Sequence, residues 1–327
     1  MSDDIQHSET VIILKTVPNS TTSTFNFMKS KLFATASLIS LLPLTSSVSA
    51  SGPLIDTSSS EFACMYMVDI DDVRWTDGFW AERFTVLQDR MIPYMWELFQ
   101  DEYESHAWAN FLLAAGLDDG RDGHHHGPPF NDGDFLKWLE ALASVYAITH
   151  DEETDALMDR IIEVLALAQR EDGYFHTQKV IPQRQGIAEE TEFEDRYHFE
   201  TYNMGHLMTT ACVHYRATGK DSLLKLANKA ADYLYNFYKT SSPDLARNAI
   251  CPSHYMGVVE LYRLTREPRY HELAQQLIEI RDLVENGTDH NQDRIPFREM
   301  DEAVGHAVRA NYLYAGVADV YADMVPP

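Results

Sequence analysis

The sequence has 327 residues and is strongly acidic, with 51 aspartates and glutamates against 26 lysines and arginines and a formal net charge of −25. A field of this sign repels nucleic acid and anionic membranes, so the composition argues against both as partners. It also disfavours a polyanionic ligand unless a local basic site exists. The three cysteines lie far apart without a C-x-x-C pair, and their spacing predicts neither a disulfide framework nor a zinc site.

The first fifty residues differ from the rest of the chain. Lys29 and Lys31 precede an apolar run over residues 32–44, and the small residues 48–50 fit an export cleavage site. The run is too short and too rich in serine and threonine to span a bilayer. We therefore predict an N-terminal extension with a Sec-type signal peptide that begins at Met28 (1–50), a lead-in (51–79) and a partial helical barrel (80–327). A secreted or periplasmic protein follows from this division.

Apolar residues recur at helical spacing through most of the remaining chain. The pattern predicts a helix from Trp80 to Phe99, a loop rich in glycine, aspartate and histidine over 116–133, and a first hairpin with apolar stripes over 135–146 and 157–168. A polar connection then runs to about His198. Further helices are predicted near 203–217, 222–239, 252–265, 269–285 and 302–323. Strand patterns are nearly absent, so we expect an all-α protein.

A repeated spacing marks three of the predicted hairpins. In each, a tyrosine is followed by a threonine three residues on and by a leucine eight residues further. The copies are Tyr146/Thr149/Leu157, Tyr215/Thr218/Leu226 and Tyr262/Thr265/Leu273. Such units bury their apolar faces only against neighbouring units, so we predict an (α/α)6 toroid of helical hairpins. About eight of its twelve helices are found, which leaves an open edge suited to association with another chain.

One polar and aromatic cluster precedes and opens the helix predicted near 203–217. Glu200, Tyr202, Asn203 and His206 fall within two turns, and Asn203 and His206 share a face. Such groups can hold sugar hydroxyls, and a histidine beside a glutamate can move protons. A helix start capped by polar residues, with a hydrogen-bonded core histidine, explains the pattern equally well.

A second cluster opens the last predicted helix. Glu302, His306 and Arg309 recur at i, i+4 and i+7, which places a carboxylate, an imidazole and a guanidinium on one helical face. Gly305 allows close approach of another backbone or of a ligand. The apolar flank of this segment favours burial, and we interpret the cluster as functional in preference to an exposed ion pair.

The polar residues before and at the start of the helix over 135–146 give weaker indications of function. Asp134, at the start of the helix over 135–146, is a candidate ligand contact, while its neighbour Asp132 fits an ordinary helix cap. The triple histidine at 124–126 has no spacing to further metal ligands and is read as a solvated loop. The sequence contains no nucleophile elbow, metalloprotease, P-loop or dinucleotide-binding motif.

Several segments together resemble glycoside hydrolase family 127, the β-L-arabinofuranosidase-type enzymes. They are NDGDFLKWLEALA (131–143), AQREDGYF (168–175), ETYNMGHL (200–207), YRATGK (215–220) and EAVGHAVRANYLYAGVADV (302–320). The resemblance covers about residues 70–327. It implies an (α/α)6 barrel and the removal of terminal sugars from plant or algal glycans with retention of configuration, so we expect an oligosaccharide substrate.

The resemblance also implies a catalytic centre that this chain lacks. Family members use a zinc-bound cysteine as the nucleophile and a glutamate as the acid/base, and those motifs would lie beyond Pro327. None of Cys64, Cys212 and Cys251 stands in such a motif. We therefore name no catalytic residue, expect no metal or other cofactor in this chain, and expect zinc only in complete family members.

The matching motifs carry over only sugar contacts. His206 and His306 correspond to family positions that line the sugar pocket, and Asp134 and Tyr202 are further candidates. Phe199 departs from the family, where many members have histidine before the glutamate, so a contact there is lost or shifted to His198.

Three functions remain at this stage. The first is an exported glycosidase of the β-L-arabinofuranosidase type whose catalytic end is missing, so that this chain alone is inactive. The second is a metal-independent oligosaccharide lyase or dehydratase that uses His206, His306, Tyr202 and either Glu200 or Glu302 as acid and base. The third is a non-catalytic sugar-binding remnant or a partner of a separate second half.

Overall fold

In the computed structural model, the described residues are 52–101, 103–117, 122–187, 192–243 and 254–323. Their regular structure is entirely helical, and no strand occurs among them. The predicted all-α class is therefore confirmed. None of the described helices combines the length and the apolar character needed to cross a bilayer. The predicted extension over residues 1–50, with its signal peptide, lies outside the described residues.

The helices follow one another along the chain with connections of very different lengths. The first is interrupted by a π-helical turn at Leu87–Met91, which separates α1 (Gly78–Val86) from α2 (Ile92–Gln100). The others are α3 (Ala107–Ala115), α4 (Asn131–Thr149), α5 (Glu152–Ala168), α6 (Thr177–Arg184), α7 (Glu200–Thr218), α8 (Ser222–Thr240), α9 (His254–Thr265), α10 (Pro268–Glu279) and α11 (Ala307–Ala322).

The helices form two concentric rows. An inner row packs in the order α2, α4, α7, α9 and α11, and an outer row packs in the order α3, α5, α8 and α10. Each outer helix also packs against the inner helix that precedes it in the chain. This alternation is the arrangement of an (α/α) toroid, as predicted. Because α4, α7, α9 and α11 run in the same direction, their N-terminal ends lie at one rim.

The prediction of about eight helices missed α3 and α6. Helix α3, with the sequence AWANFLLAA, is apolar on nearly every side and therefore lacks the amphipathic period by which a helix is recognised. Helix α6 lies within the connection predicted as polar and irregular, and it is only 8 residues long with Pro182 inside it. Neither segment presents the pattern on which the prediction depended.

The repeated tyrosine and threonine mark a common corner at the end of three inner helices. Each threonine donates its hydroxyl hydrogen to the carbonyl oxygen four residues earlier, at 3.1, 2.7 and 2.7 Å for Thr149, Thr218 and Thr265. The residue that follows is left-handed in each case, with φ of 52°, 73° and 59° at 150, 219 and 266. This conformation ends the helix and turns the chain into the outer helix. The predicted hairpin repeat is therefore confirmed.

A buried charge network joins three inner helices at the other rim, near their C-terminal ends. Glu260 of α9 accepts hydrogen bonds from Arg216 of α7 and, at 3.0 Å, from Arg263. Arg263 also donates to Asp319 of α11 at 2.9 Å and to Asp323, directly after that helix, at 2.7 Å. Both arginines are less than 5% exposed. Because each buried charge has a partner, the network can stabilise the packing of α7, α9 and α11.

The same network fixes the lead-in. Arg216 donates to the carbonyl oxygen of Leu54 at 3.0 Å, and Glu260 accepts from the backbone N–H of Asp56 at 3.3 Å. Gly52 lies against the side chain of Arg216, where an added Cβ would come within 3.4 Å of its Cδ. The start of the lead-in is thus attached to the rim that lies away from the inner-helix starts.

We expect Glu260→Gln to destabilise the protein strongly, because the neutral amide leaves two buried guanidinium groups without sufficient negative charge. Loss of one partner of a buried pair costs about 3–5 kcal/mol. Chemical denaturation would measure the free energy of unfolding. Glu279→Gln, at an exposed position of α10, is the matched control. Equal stability of the two variants would show that the network contributes little.

Candidate functional site

The start of α7 is held by a buried carboxylate. Glu200 is 3% exposed and accepts a hydrogen bond of 2.5 Å from the Tyr174 hydroxyl and another of 2.9 Å from the backbone N–H of Phe193. Phe199, directly before it, is left-handed with φ of 60°. Glu200 therefore orients the first turn of α7. Both of its oxygens are engaged by the protein itself, which suits a positioning role better than contact with a ligand.

A buried amide connects α7 to α4. Asn203 is fully buried; its Oδ1 accepts from the backbone N–H of Gly133 at 2.8 Å, and its Nδ2 donates to the carbonyl oxygen of Pro129 at 2.9 Å. The same Nδ2 lies 2.9 Å from Nδ1 of His176. A Cβ added at Gly133 would lie 2.6 Å from the Tyr202 ring. The glycine thus permits the close approach that brings Tyr202 over α4.

The neighbouring carboxylate, Asp132, is also used within the protein. It accepts from the backbone N–H of Thr177 at 2.7 Å and from the Thr177 hydroxyl at 2.6 Å, and it is 1% exposed. Asp132 therefore caps the start of α6. A helix-capping role was predicted for this aspartate, but the helix that it caps is α6 and not α4. Burial raises the pKa of Asp132, but its interactions with His176 and Thr177 lower it by more. The pKa therefore lies below the ordinary value of an aspartate.

An aromatic cluster, separate from the main core, lies beside these helix starts. It consists of Phe199, Tyr202, His206 and Tyr312, and we call it the aromatic cluster. The ring centroids of Tyr202 and His206 are 4.5 Å apart, and the Tyr312 hydroxyl lies 3.4 Å from His206 Nε2. Phe130 extends it toward solvent, with its ring 5.4 Å from that of Phe199. The cluster joins the starts of α7 and α11.

His206 is a neutral imidazole in this setting. The side chain is 5% exposed, and burial lowers its pKa to about 3, with a further contribution from the positive charge of Lys137. A neutral ring offers one hydrogen-bond donor and one acceptor, which is the pairing that a sugar hydroxyl requires. The same low pKa makes His206 unsuited to proton donation near neutral pH.

Lys137 and Asp134 form the polar edge of the aromatic cluster. Lys137 donates to the Tyr202 hydroxyl at 2.8 Å and pairs with Asp134 at 2.7 Å, one turn earlier on α4. Both side chains are 39% exposed and can therefore reach a ligand. They also border a groove of about 740 Å³ between α4 and the α1–α2 helix, whose wall includes Met91, Met95 and Trp138.

The second predicted cluster is only partly assembled. Helix α11 begins at Ala307, five residues later than predicted, so Glu302 and His306 are not on one helical face with Arg309. The cause is Gly305, which has φ of 79° and lies so close to Asp289 that an added Cβ would be 1.8 Å from its carbonyl oxygen. The predicted close approach at this glycine is confirmed. The prediction of a shared helical face is wrong.

The three side chains of that cluster point to different surroundings. Glu302 is exposed beside a small cavity that Asp289 and Arg294 also line. His306 is exposed, and its ring meets that of His290 with centroids 5.4 Å apart. Arg309, by contrast, is 8% exposed and lies 5.9 Å from the ring centre of Phe199. The structure therefore brings Asp134, Tyr202, His206 and Arg309 to the aromatic cluster, and places Glu200, Glu302 and His306 apart from it.

Sequence reasoning missed several members of this site. Lys137 follows Asp134 by one helical turn, and Tyr312 follows Arg309 by three residues, so helical spacing could have found both. Phe130 precedes the helix and carries no comparable periodic pattern.

The described residues do not fit a zinc–thiolate centre. Among them, no group of three or more histidine, cysteine, aspartate or glutamate side chains is arranged to hold a metal ion. Cys64 is exposed, and Cys212 is buried in the core, where desolvation strongly raises the thiol pKa. Cys251 lies outside the described residues. In the triple histidine, His126 instead pairs with Asp122 at 2.9 Å.

Comparison with known proteins gives a consistent result. A family model described as the catalytic domain of GH127 β-L-arabinofuranosidase matches residues 72–324. The non-reducing end β-L-arabinofuranosidase of Bifidobacterium longum subsp. longum is 32% identical, over 76% of this chain and 43% of the relative.

Solved structures agree in fold. One described as a glycoside hydrolase is 49% identical with a TM-score of 0.64, over 83% of this chain and 37% of the other. The GH127 β-L-arabinofuranosidase of Geobacillus stearothermophilus T6 is 32% identical with a TM-score of 0.67, over 76% and 42%. The chain thus spans less than half the length of these relatives.

We expect the low pKa of His206 to make stability depend on pH. Between pH 6.5 and about 3 the unfolded chain binds a proton at this residue that the folded chain does not, so stability falls as the pH falls through this window. The contribution is up to about 1.4 kcal/mol per pH unit. His206→Gln should reduce the slope of the free energy of unfolding against pH between 6 and 4.

Tyr312→Phe is the control for this experiment, because it removes the hydroxyl beside His206 but leaves the imidazole. Its slope should match that of the unmodified protein. An unchanged slope in His206→Gln would mean that the imidazole is already protonated in the folded state.

Proposed function

The chain belongs to the GH127 β-L-arabinofuranosidase family, and we propose that it holds a terminal sugar of a plant or algal glycan within a glycoside hydrolase of that type. The observation that carries this proposal is the meeting of the α7 and α11 starts at His206 and Tyr312. Two helices distant in sequence there present hydroxyl, imidazole and aromatic groups to one place.

The chemistry of the aromatic cluster fits a sugar. Sugar hydroxyls both donate and accept hydrogen bonds, and a neutral imidazole and tyrosine hydroxyls do the same. The aromatic rings offer apolar surface to the C–H faces of a sugar ring, while Lys137 and Asp134 supply charged hydrogen-bonding groups at the edge. A few polar groups among apolar surface are the usual composition of a small-molecule site.

The described residues support binding and orientation, and we assign them no step in bond cleavage. His206, with a pKa of about 3, does not donate a proton near neutral pH, and Glu200 is fully engaged by Tyr174 and Phe193. Both observations weigh against the lyase or dehydratase interpretation, which uses His206 with either Glu200 or Glu302 among its acid and base groups. Hydrolysis would draw on the zinc-bound cysteine and the glutamate that the family resemblance implies.

Association through the α1–α2 edge is part of the proposal. Helix α1 has no buried residue, and Phe79, Trp80 and Tyr94 are each more than 60% exposed along this edge. Adjacent exposed aromatic residues of this kind are typical of a surface that packs against further protein. The groove of about 740 Å³ beside Met91 and Met95 continues the same surface.

Binding of methyl β-L-arabinofuranoside, measured by calorimetry, tests the sugar-holding function. His206→Ala should weaken binding about tenfold, because the loss of a hydrogen bond worth roughly 1–1.5 kcal/mol corresponds to that factor. The matched control is His150→Ala, which changes an exposed histidine at the opposite rim and should leave affinity unchanged. Absence of binding by the unmodified protein, or equal weakening by both variants, would contradict the proposal.

We further propose that the protein is exported. The support is the sequence of residues 28–50, with two lysines before an apolar run and small residues at 48–50. Expression from Met28 in a secreting host should yield an extracellular protein whose N-terminal residue, determined by Edman degradation, is Ser51. The double change Lys29→Glu and Lys31→Glu should retain the protein inside the cell. Retention of unmodified protein with its first fifty residues intact would refute export.

A further inference from the structure

Arg309 differs from the other buried arginines of the described chain. Four arginines are less than 9% exposed there: Arg216, Arg263, Arg281 and Arg309. Arg216 and Arg263 bind carboxylates, and Arg281 donates to the carbonyl oxygens of Asn291 and Gln292. Among the described residues, Arg309 forms neither a hydrogen bond nor an ion pair, and its Nη1 is buried without a partner there. A buried guanidinium without a counter-charge is costly, so a ligand that supplies one is favoured.

The position of Arg309 connects it to the proposed sugar site. The residue lies in the first turn of α11, three residues before Tyr312, and its guanidinium stacks over Phe199 at 5.9 Å. Phe199 in turn contacts Tyr202, at 5.7 Å between ring centroids. The charge of Arg309 therefore lies at the edge of the aromatic cluster, and none of the described carboxylates pairs with it.

Lys137 is not available in the same way to bind an anionic ligand. Its ammonium group is neutralised by Asp134 at 2.7 Å and donates to the Tyr202 hydroxyl. An anion at Lys137 would have to displace or oppose that carboxylate. Of the two cations that the described residues bring to this site, Arg309 is thus the one without a bound carboxylate.

We propose that Arg309 binds the carboxylate of an acidic sugar residue, of the hexuronate class, whose ring lies in the aromatic cluster. The inference rests on the proposed sugar-binding function and makes its substrate class more specific. A planar guanidinium matches a carboxylate with two parallel hydrogen bonds, which a neutral hydroxyl cannot provide. The overall charge of −25 disfavours a long polyanion, whereas a single acidic unit needs one local cation.

Three sugars that differ at one position provide the test. L-Arabinose, D-galactose and D-galacturonate share their pyranose ring configuration and carry hydrogen, hydroxymethyl and carboxylate, respectively, at C5. Calorimetric titration of the full chain should show at least tenfold tighter binding of galacturonate than of the two neutral sugars. In Arg309→Gln this preference should disappear, while the affinity for arabinose and galactose remains.

Two further variants separate specific recognition from charge and folding. Arg309→Lys keeps the charge but loses the paired donors and should retain only part of the preference. Arg298→Gln removes one positive charge from a side chain that is 69% exposed. This variant should retain the full preference for galacturonate. Thermal melting of Arg309→Gln should show no loss of stability, because the substitution removes an uncompensated buried charge.

The possible outcomes distinguish a failure of the role proposed for Arg309 from a failure of the proposed sugar binding. Equal binding of all three sugars would overturn the role of Arg309 and leave sugar binding intact, as would a preference for galacturonate that survives in Arg309→Gln. Competition by sodium acetate as effective as that by galacturonate would show a simple anion site and would also overturn it. No binding of any of the sugars would contradict both this inference and the proposed function.

Discussion

The position of α7 governs this structure, and two buried polar groups fix it from opposite ends. Arg216, near its C-terminal end, joins the charge network of Glu260 and the lead-in. Asn203, in its first turn, is bound to the start of α4 through Gly133 and Pro129. Arg216 follows Asn203 by thirteen positions, which corresponds to about 20 Å of helix. Since both attachments are buried and directional, α7 can neither slide nor rotate without breaking hydrogen bonds, and His206 is held between them.

The sequence predicted those parts of the fold that rest on local pattern. The tyrosine and threonine spacing identified three corners because a threonine hydroxyl, a left-handed residue and a leucine recur at fixed separations. Helices α3 and α6 were not predicted, since one is apolar throughout and the other is short, polar and contains Pro182. Tertiary packing, which a single sequence does not reveal, maintains both.

The site was harder to predict because side chains of one motif serve different purposes. Glu200, Asn203 and His206 lie within two turns of α7. The side chains of Glu200 and Asn203 hydrogen-bond to backbone groups that hold the helix in place, and only His206 belongs to the aromatic cluster. Periodicity placed Glu302 and His306 on a helix, but the backbone at Gly305 leaves the helical region before α11 begins. The partners that decide these roles, such as Tyr174, Asp289 and Tyr312, are distant in sequence from the groups they contact.

The three hairpin corners lie at the ends of α4, α7 and α9, whereas the aromatic cluster lies at the opposite ends of the inner helices. The left-handed corner residue is a histidine, a glycine and an arginine in turn, so side-chain identity there is loosely constrained. Turn-forming residues and the residues proposed to contact the sugar therefore occupy separate rims of the barrel. Insertions and exchanges at the corners can therefore accumulate without disturbing the proposed sugar site, and the rim that carries that site can diversify without altering the chain reversals that build the barrel.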